Sequence, residues 1–391
     1  MKALLPGATI GIIGGGQLAR MMTLEARRMG YRVSVLSPDR LDPSVSLADH
    51  WVEGELDDVE AAEKLAKISD VVTVDTEHVP ASMLSQLERL VAVRPSASVL
   101  RTVQDRRVQR DFLDEVQVAQ PRWSPVHGPG ELEAAASEVG FPCVLKRAHA
   151  GYDGKGQRII SGASQLAGAW DSIGGGPAIV EEFVRFDCEV SVLLARNPAG
   201  EVRFYPLAHN THRNHVLRTT VAPAPVGAEV ARDGFELAAT IANALDHIGM
   251  MAVEMYLVGG KTLLVNEIAP RPHNSGHYTF GACVTSQFEQ HVRAVSGLPL
   301  GDPSLPRPSA MINLFGDLWL HGEPDWSQVF RTPEARLHLY DKADARPGRK
   351  MGHVLVIDED PEQALATCEA VMARLERAAG EDHSPEISSQ S

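Results

Sequence analysis

Residues 251–277 read MAVEMYLVGGKTLLVNEIAPRPHNSGH. Two apolar runs, Met251–Val258 and Lys261–Ile268, flank Gly259-Gly260, and a Gly-Gly link between such runs signals a tight β-hairpin. With a two-residue turn, Val258 pairs with Lys261 and Glu254 falls opposite Val265. Glu267 then lies two residues along on the same face, a diagonal of about 7–8 Å between Cα atoms, within reach of long side chains. Asn266 points to the other face of a regular strand and joins the pair only through a bulge or at the strand's end. Two carboxylates on otherwise apolar strands repel each other and cost solvation. Either this is a solvated strand face, or a divalent cation between the carboxylates removes both costs. Oxygen ligands with room for phosphates suit Mg²⁺.

The segment that follows, Ala269–His277, carries two prolines and a glycine and reads as an ordered loop. Arg271, His273, Asn274 and Ser275 supply donors for an anion or an acyl phosphate. The His273-x3-His277 spacing would suit zinc on a helix, but Pro272 and Gly276 disfavour a helix and no third ligand is evident. His209, His212 and His215 lie in a strand-to-loop setting that disfavours a shared metal.

Working toward the N-terminus, CEVSVLLAR (188–196) and EVRFYPLAH (201–209) extend the hairpin into an antiparallel sheet, and GFELAATIANALDHIG (234–249) reads as an amphipathic helix. PAIVEEFV (177–184) is a further strand. FPCVLKR and QRIIS flank a glycine-rich loop at 149–156, which predicts a small lobe with a flap. At the start, ATIGIIG (8–14), a helix over QLARMMTLEARRMG and the strand YRVSVLS give the strand–helix–strand order of a doubly wound α/β domain. DVVTVDT (70–76) is its third strand. The expected division is a Rossmann-like domain over 1–103, a small lobe over 104–184, a large antiparallel lobe over 185–380 and a disordered tail over 381–391.

The chain has 391 residues, with 37 Lys plus Arg against 51 Asp plus Glu, a net charge of −14. That balance repels a phosphate backbone and argues against a nucleic-acid partner. No apolar run reaches the length of a membrane span. The first residues are broken by glycines and read as a strand, not a signal peptide. Cys143, Cys188, Cys283 and Cys368 are scattered and read as reduced thiols of a cytoplasmic protein.

Four more constellations bear on chemistry. Gly151-Tyr152-Asp153-Gly154-Lys155-Gly156-Gln157 is either a glycine hairpin loop or a cradle whose amides approach phosphate oxygens, with Lys155 and Lys146 adding charge. It does not fit the Walker A pattern. The strand Ile179–Val184, with Glu181 and Glu182 and then Glu189, could pair an adenine edge and hold ribose hydroxyls. Lys342, Arg346, Arg349, Lys350 and His353 gather positive charge suited to a phosphate monoester. Gly14-x-Gly16-x-x-Ala19, with Asp39 beyond, fits the loose dinucleotide fingerprint and supports a rival reading, an NAD(P)-dependent oxidoreductase. A non-catalytic nucleotide-binding module is a third.

Taken in order, GGGQLARM, QDRRVQRDFL, GYDGKGQ, IVEE, YPLAHNTH, VNEIAPRPHNSGH and YDKADARPGRKMGH resemble the N5-carboxyaminoimidazole ribonucleotide synthetases, ATP-grasp ligases of de novo purine biosynthesis. The resemblance runs from about residue 8 to 356 and implies the ATP-grasp fold. The substrates it implies are ATP, bicarbonate and 5-aminoimidazole ribonucleotide, joined through carboxyphosphate. Relatives of the same fold, a formate-dependent transformylase or a biotin carboxylase, are the nearest alternatives. The resemblance assigns Arg106, Lys146, residues 151–157 and Asn266 to ATP, Glu181, Glu182, Phe183 and Val184 to the adenine hinge, Glu189 to ribose and His212 to the nucleotide site. Glu254 and Glu267 become ligands of Mg²⁺, for which Mn²⁺ could substitute, and no biotin is implied. Arg271, His273, Asn274 and Lys155 become the catalytic group. Glu77, Tyr152, Asp153, Lys342 and Arg349 face the aminoimidazole nucleotide, with Gln17 nearby. A homodimer is implied. Two departures stand out: TVDTEHVPA replaces the family's TYEFENVPA around Glu77, and Arg110 replaces a lysine, which is read as a change of surface charge.

Overall fold

The computed structural model describes residues 3–149 and 156–380. Gly151, Tyr152, Asp153, Gly154 and Lys155 of the glycine loop, and the tail from 381, lie outside the described residues.

Among those residues the strands form three sheets. The first holds β1 (Thr9–Ile13), β2 (Arg32–Ser37), β3 (His50–Glu53), β4 (Val71–Val74) and β5 (Ala92–Val93) in the order β3-β2-β1-β4-β5, all parallel. Three of these five strands, β1, β2 and β4, are expected from the sequence; the short HWVE of β3 carries no apolar run, and β5 is two residues long. Ile10, Ile12, Val33, Val35 and Val71 are buried on one face of this sheet with Met21 and Met22 of the helix Gln17–Arg28. Burying each such side chain is worth roughly 1.5–3 kcal/mol. The order reverses between β1 and β4, and in doubly wound sheets ligands collect outside the carboxyl ends at that point.

The second sheet holds β6 (Trp123–Val126), β7 (Cys143–Arg147), β8 (Gln157–Ile160) and β9 (Ala178–Glu182) in the order β6-β9-β7-β8. The third holds β10 (Cys188–Arg196), β11 (Val202–Phe204), β12 (Ala208–Arg213), β13 (Val216–Ala222), β14 (Gly249–Val258), β15 (Thr262–Ala269), β16 (Ser309–Phe315), β17 (Ala335–Leu339) and β18 (Lys350–Ile357). Its path is β15-β14-β10-β12-β13-β16-β18-β17, with β11 beside β10, and every pairing is antiparallel.

Alternation on β14 explains how this sheet makes a site. Met251, Val253, Met255 and Leu257 pack on one face with Val190, Val192 and the helix Ala228–Ala244. On the other face Met250 and Ala252 are buried in a second core, and the next residues in that series are Glu254 and Tyr256. The strand therefore leaves an apolar core and enters a polar cleft without changing its pleat.

The hairpin register differs from the expected one. Val258 pairs with Thr262, so Gly259, Gly260 and Lys261 make a three-residue loop with both glycines left-handed. That slip alone would put Asn266 opposite Glu254 and turn the second glutamate to the wrong face. A bulge at Glu254/Met255 adds one more residue, and Glu254 lies directly opposite Glu267 rather than Val265.

Candidate active site

A cleft of about 920 Å³ opens between the three sheets. Glu254, Asn266 and Glu267 line it from the hairpin, Arg271, His273 and Asn274 from the loop that follows, and Lys146 and Gln157 from the small lobe. Glu181, Glu182, Phe183 and Val184 line it at the end of β9, and Glu189 and His212 from β10 and β12. Arg106 and Glu77 complete the wall from the helix Arg106–Glu115 and the loop after β4.

Directly opposed strand residues bring their Cβ atoms to about 5 Å, so the two hairpin carboxylates share one small volume. Burial, and then the Glu267 and Glu189 carboxylates, push the Glu254 carboxyl up to about 7 against the pull of His212. Arg106 Nη2 stands 3.8 Å from Glu267 Oε2. Among the described residues no group of three or more His, Cys, Asp or Glu is arranged to hold a metal. Two carboxylates and the Asn266 amide are hard oxygen donors, which fits a cation that keeps water and phosphate among its ligands, as Mg²⁺ does.

His273 is held by a buried chain of hydrogen bonds. Thr220 Oγ1 donates to Asn210 Oδ1 (3.1 Å), Asn210 Nδ2 donates to Ser191 Oγ (2.9 Å), and Ser191 Oγ donates to Ser275 Oγ (2.9 Å). Ser275 Oγ lies 2.9 Å from His273 Nδ1, which also receives the Ser275 backbone N–H at 3.3 Å. Because the amide nitrogen of Asn210 can only donate, every hydroxyl proton in the chain points toward His273, and Nδ1 accepts. The ring's proton is then on Nε2, 3.5 Å from Glu254 Oε1. Burial, followed by Arg271 and Lys350, lowers its pKa to about 3, so His273 is a neutral donor at neutral pH. Asn274 forms a reciprocal amide pair with Asn313 (3.1 and 2.6 Å), which fixes its orientation.

Behind the nucleotide end, Lys146 Nζ meets Glu181 Oε2 at 2.5 Å, and Arg110 Nε donates to Glu181 Oε1 at 2.7 Å. Burial alone would raise Glu181, but Arg110 and Lys146 outweigh it and hold the carboxyl at about 2. Burial pulls Lys146 below the usual lysine range. His212 Nδ1 stands 3.0 Å from Glu189 Oε1, out of line for a hydrogen bond.

At the other end Arg271 Nε donates to Glu77 Oε2 at 2.5 Å, tying the first sheet's loop to the large lobe. Burial opposes this charge, but Arg271 draws Glu77 down to about 2. Lys342 and Arg349 do not line the cleft. Lys342 Nζ donates to Lys350 O at 2.7 Å, and burial followed by Arg349 and Lys350 lowers its pKa to about 7. Arg349 Nη1 donates to Asp344 O at 2.7 Å. Lys350 and Gln17 are the members of these neighbourhoods that reach the cleft wall.

The first glycine turn is occupied by the chain itself. Asp75 Oδ2 accepts the Gly16 N–H at 2.8 Å, at the N-terminus of the helix Gln17–Arg28. A dinucleotide's pyrophosphate would need that same position. Gly14 has φ +109°, and a Cβ there would fall 1.7 Å from Asp75 Oδ1. The glycines are explained by the carboxylate they wrap, and the oxidoreductase reading loses its support.

Residues 7–104 match the ribonucleotide synthetase preATP-grasp domain, residues 111–288 the ATP-grasp domain and residues 309–367 the phosphoribosylaminoimidazole carboxylase C-terminal domain. A Bacillus subtilis N5-carboxyaminoimidazole ribonucleotide synthase is 39% identical over 362 residues, 93% of this chain and 94% of the relative. The chain belongs to the N5-carboxyaminoimidazole ribonucleotide synthase family. Two solved structures show the same fold. The Staphylococcus aureus N5-carboxyaminoimidazole synthetase complexed with ADP superposes with a TM-score of 0.90 at 34% identity, covering 95% of this chain and 98% of that one. The Aspergillus clavatus N5-carboxyaminoimidazole synthase, in complex with ADP and 5-aminoimidazole ribonucleotide, superposes with a TM-score of 0.89 at 30% identity, covering 96% and 100%.

Against this N5-carboxyaminoimidazole ribonucleotide synthase fold, a further expectation needs correcting. Arg110 is not a surface charge: it is 1% exposed. Besides Glu181 it donates to Val265 O at 3.0 Å, Asn266 O at 2.9 Å and Gln120 Oε1 at 3.2 Å. The sequence holds a faint sign of this, since Arg106 and Arg110 are four apart and share a helix face. Asp75, which also lines the cleft, carries no signal in the sequence, because an acid after a strand is ordinary, and Lys350 stands out there only as one member of the basic cluster.

Proposed function

We propose that this chain carboxylates 5-aminoimidazole ribonucleotide with bicarbonate at the expense of ATP, giving N5-carboxyaminoimidazole ribonucleotide, ADP and phosphate in purine biosynthesis. The observation that carries the reading is the Glu254–Glu267 pair at the bulge, facing one cleft together with the β9 hinge and the Arg271-His273-Asn274 loop.

Bicarbonate is a poor electrophile. A bicarbonate oxygen attacks the γ-phosphorus, the bond to the ADP oxygen breaks, and carboxyphosphate forms. The exocyclic amine of the aminoimidazole then attacks the carboxyl carbon, directly or as released CO₂. Phosphate leaves and the amine loses a proton. The protein's task is to position the reactants and neutralise charge.

The residue roles belong to the same proposal. Backbone at Glu182–Val184 pairs the adenine edge, Glu189 takes ribose hydroxyls with His212 beside it, and Lys146 and Arg106 meet the phosphates. Glu254, Glu267 and Asn266 would hold Mg²⁺, which supplies positive charge to the transferring phosphoryl group. Arg271, held by Glu77, would meet bicarbonate or carboxyphosphate. His273, with its proton fixed on Nε2, donates to an oxygen of the acyl phosphate and does not act as a base. Lys350 at the cleft wall meets the substrate phosphate, with Lys342 and Arg349 adding charge behind it, and Tyr152, Asp153 and Lys155 are assigned to the reactants. A homodimer and a cytoplasmic location complete the reading, the latter supported by four unpaired thiols.

The test is ADP release by the purified protein with Mg-ATP and bicarbonate, with and without 5-aminoimidazole ribonucleotide. Release that requires the nucleotide supports the ligase; release independent of it, or none, overturns it.

A further inference from the structure

β15 is the edge strand of the large sheet, so the outward carbonyls near its bulge have no neighbouring strand to pair with. A bulge interrupts the ladder and leaves the extra residue unpaired, and a free edge is the place where such a distortion is least restrained. Here the edge is held from outside. Val265 N donates to Ala119 O at 2.8 Å, and Arg110 donates to the carbonyls of both Val265 and Asn266, the two residues that precede Glu267. The same guanidinium reaches Glu181 on β9. Arg110 therefore spans three elements: its own helix, the small-lobe strand that leads into the hinge, and the bulge.

We propose that Arg110 is a positioning residue for the metal site: by holding the carbonyls of Val265 and Asn266 it fixes the bulge that sets Glu267 opposite Glu254, and through Glu181 it ties that geometry to the strand that carries the nucleotide. This rests on the assignment of Glu254 and Glu267 to a divalent cation. Removing Arg110 takes its donors from the buried Val265 carbonyl and the part-buried Asn266 carbonyl and leaves an edge strand free to take the regular register, in which Glu267 moves off the Glu254 pair. A lysine keeps the charge beside Glu181 but offers one ammonium in place of a planar fork, so it cannot serve Glu181 and both carbonyls at once. Gln120, bonded to both the Arg110 guanidinium and the Arg110 carbonyl, holds the arginine in this pose.

The experiment measures Mn²⁺ binding to the ADP-loaded protein by electron paramagnetic resonance, beside ADP affinity in EDTA and the Mg²⁺ dependence of turnover. Arg110→Met is expected to weaken Mn²⁺ about 10- to 100-fold, the cost typical of losing a residue that orients a metal ligand, and Arg110→Lys about three- to tenfold, with ADP affinity in EDTA falling by clearly less than Mn²⁺ affinity in both. If Arg110→Met does not fold, Arg110→Lys decides. Unchanged Mn²⁺ affinity in the lysine variant overturns the proposal. So does a loss of ADP affinity in EDTA equal to the loss of Mn²⁺ affinity, which would make Arg110 a general structural support. Failure of the ligase reading is separate: it appears as absent nucleotide-dependent turnover in wild type, while the Mn²⁺ titration still reports on the site.

Discussion

Lowering the pH should loosen the joint between the first sheet and the large lobe through His291. Its Nδ1 accepts the Met250 N–H at 3.0 Å, which leaves Nε2–H to donate to Thr73 Oγ1 at 2.8 Å. The ring thus links β4 to β14 as a neutral donor and acceptor, and it is 1% exposed. Burial, with a smaller push from His247, lowers its pKa from 6.5 to about 3. The folded pKa lies below the unfolded one, so between about pH 3 and 6.5 the unfolded chain binds more protons. Stability from this group is therefore intact above 6.5 and falls as pH drops, with a slope near 1.4 kcal/mol per unit, or about 2 kcal/mol between pH 7.5 and 5. His291→Gln keeps one donor and one acceptor but cannot titrate. Urea unfolding followed by tryptophan fluorescence at pH 7.5, 6 and 5 should show wild type losing about 2 kcal/mol more than the variant over that range. Equal pH dependence in the two proteins would refute a buried neutral His291, whatever their absolute stabilities.

Two further outcomes follow from the geometry. Gly14→Ala forces a Cβ into the Asp75 carboxylate at φ +109°, and a cost of roughly 2–4 kcal/mol should lower Tm by several degrees; an unchanged Tm contradicts the close wrap of the turn. Glu77 and Arg271 should couple by about 3 kcal/mol in a double-mutant cycle of Glu77→Gln and Arg271→Met at pH 7, since Glu77 is drawn from 4.5 to about 2. The contribution is fully present above about pH 4.5 and is lost as pH falls through 2, and a coupling near zero at pH 7 would show that the pair is not formed.

Much of this was legible in the chain. Alternation of apolar residues around Gly259-Gly260 announced the hairpin, and the carboxylates at 254 and 267 stood out because apolar strands do not otherwise tolerate them. The register was not legible. Two offsets of one residue, at the turn and at the bulge, leave the apolar pattern intact while changing which residues face each other. Arg110 was hidden for a different reason: in a helix reading RRVQRDFLDE, every charge looks solvated, and only the packed edge of β15 shows which arginine is inside. The glycines at 14–16 were read as a fingerprint for a ligand because turn chemistry is the same whether the anion is a pyrophosphate or the protein's own Asp75. His273 lines the cleft, but its tautomer depends on Ser191 and Asn210, more than sixty residues away in the chain.

The most direct test of the central claim follows an oxygen atom. With ¹⁸O-labelled bicarbonate, Mg-ATP and 5-aminoimidazole ribonucleotide, phosphorus NMR of the released phosphate should show one ¹⁸O per turnover, and Glu267→Gln should release neither ADP nor labelled phosphate. Unlabelled phosphate formed at the rate of ADP release would mean that water, not bicarbonate, takes the phosphoryl group, and the cleft built on Glu254 and Glu267 would be that of a different reaction.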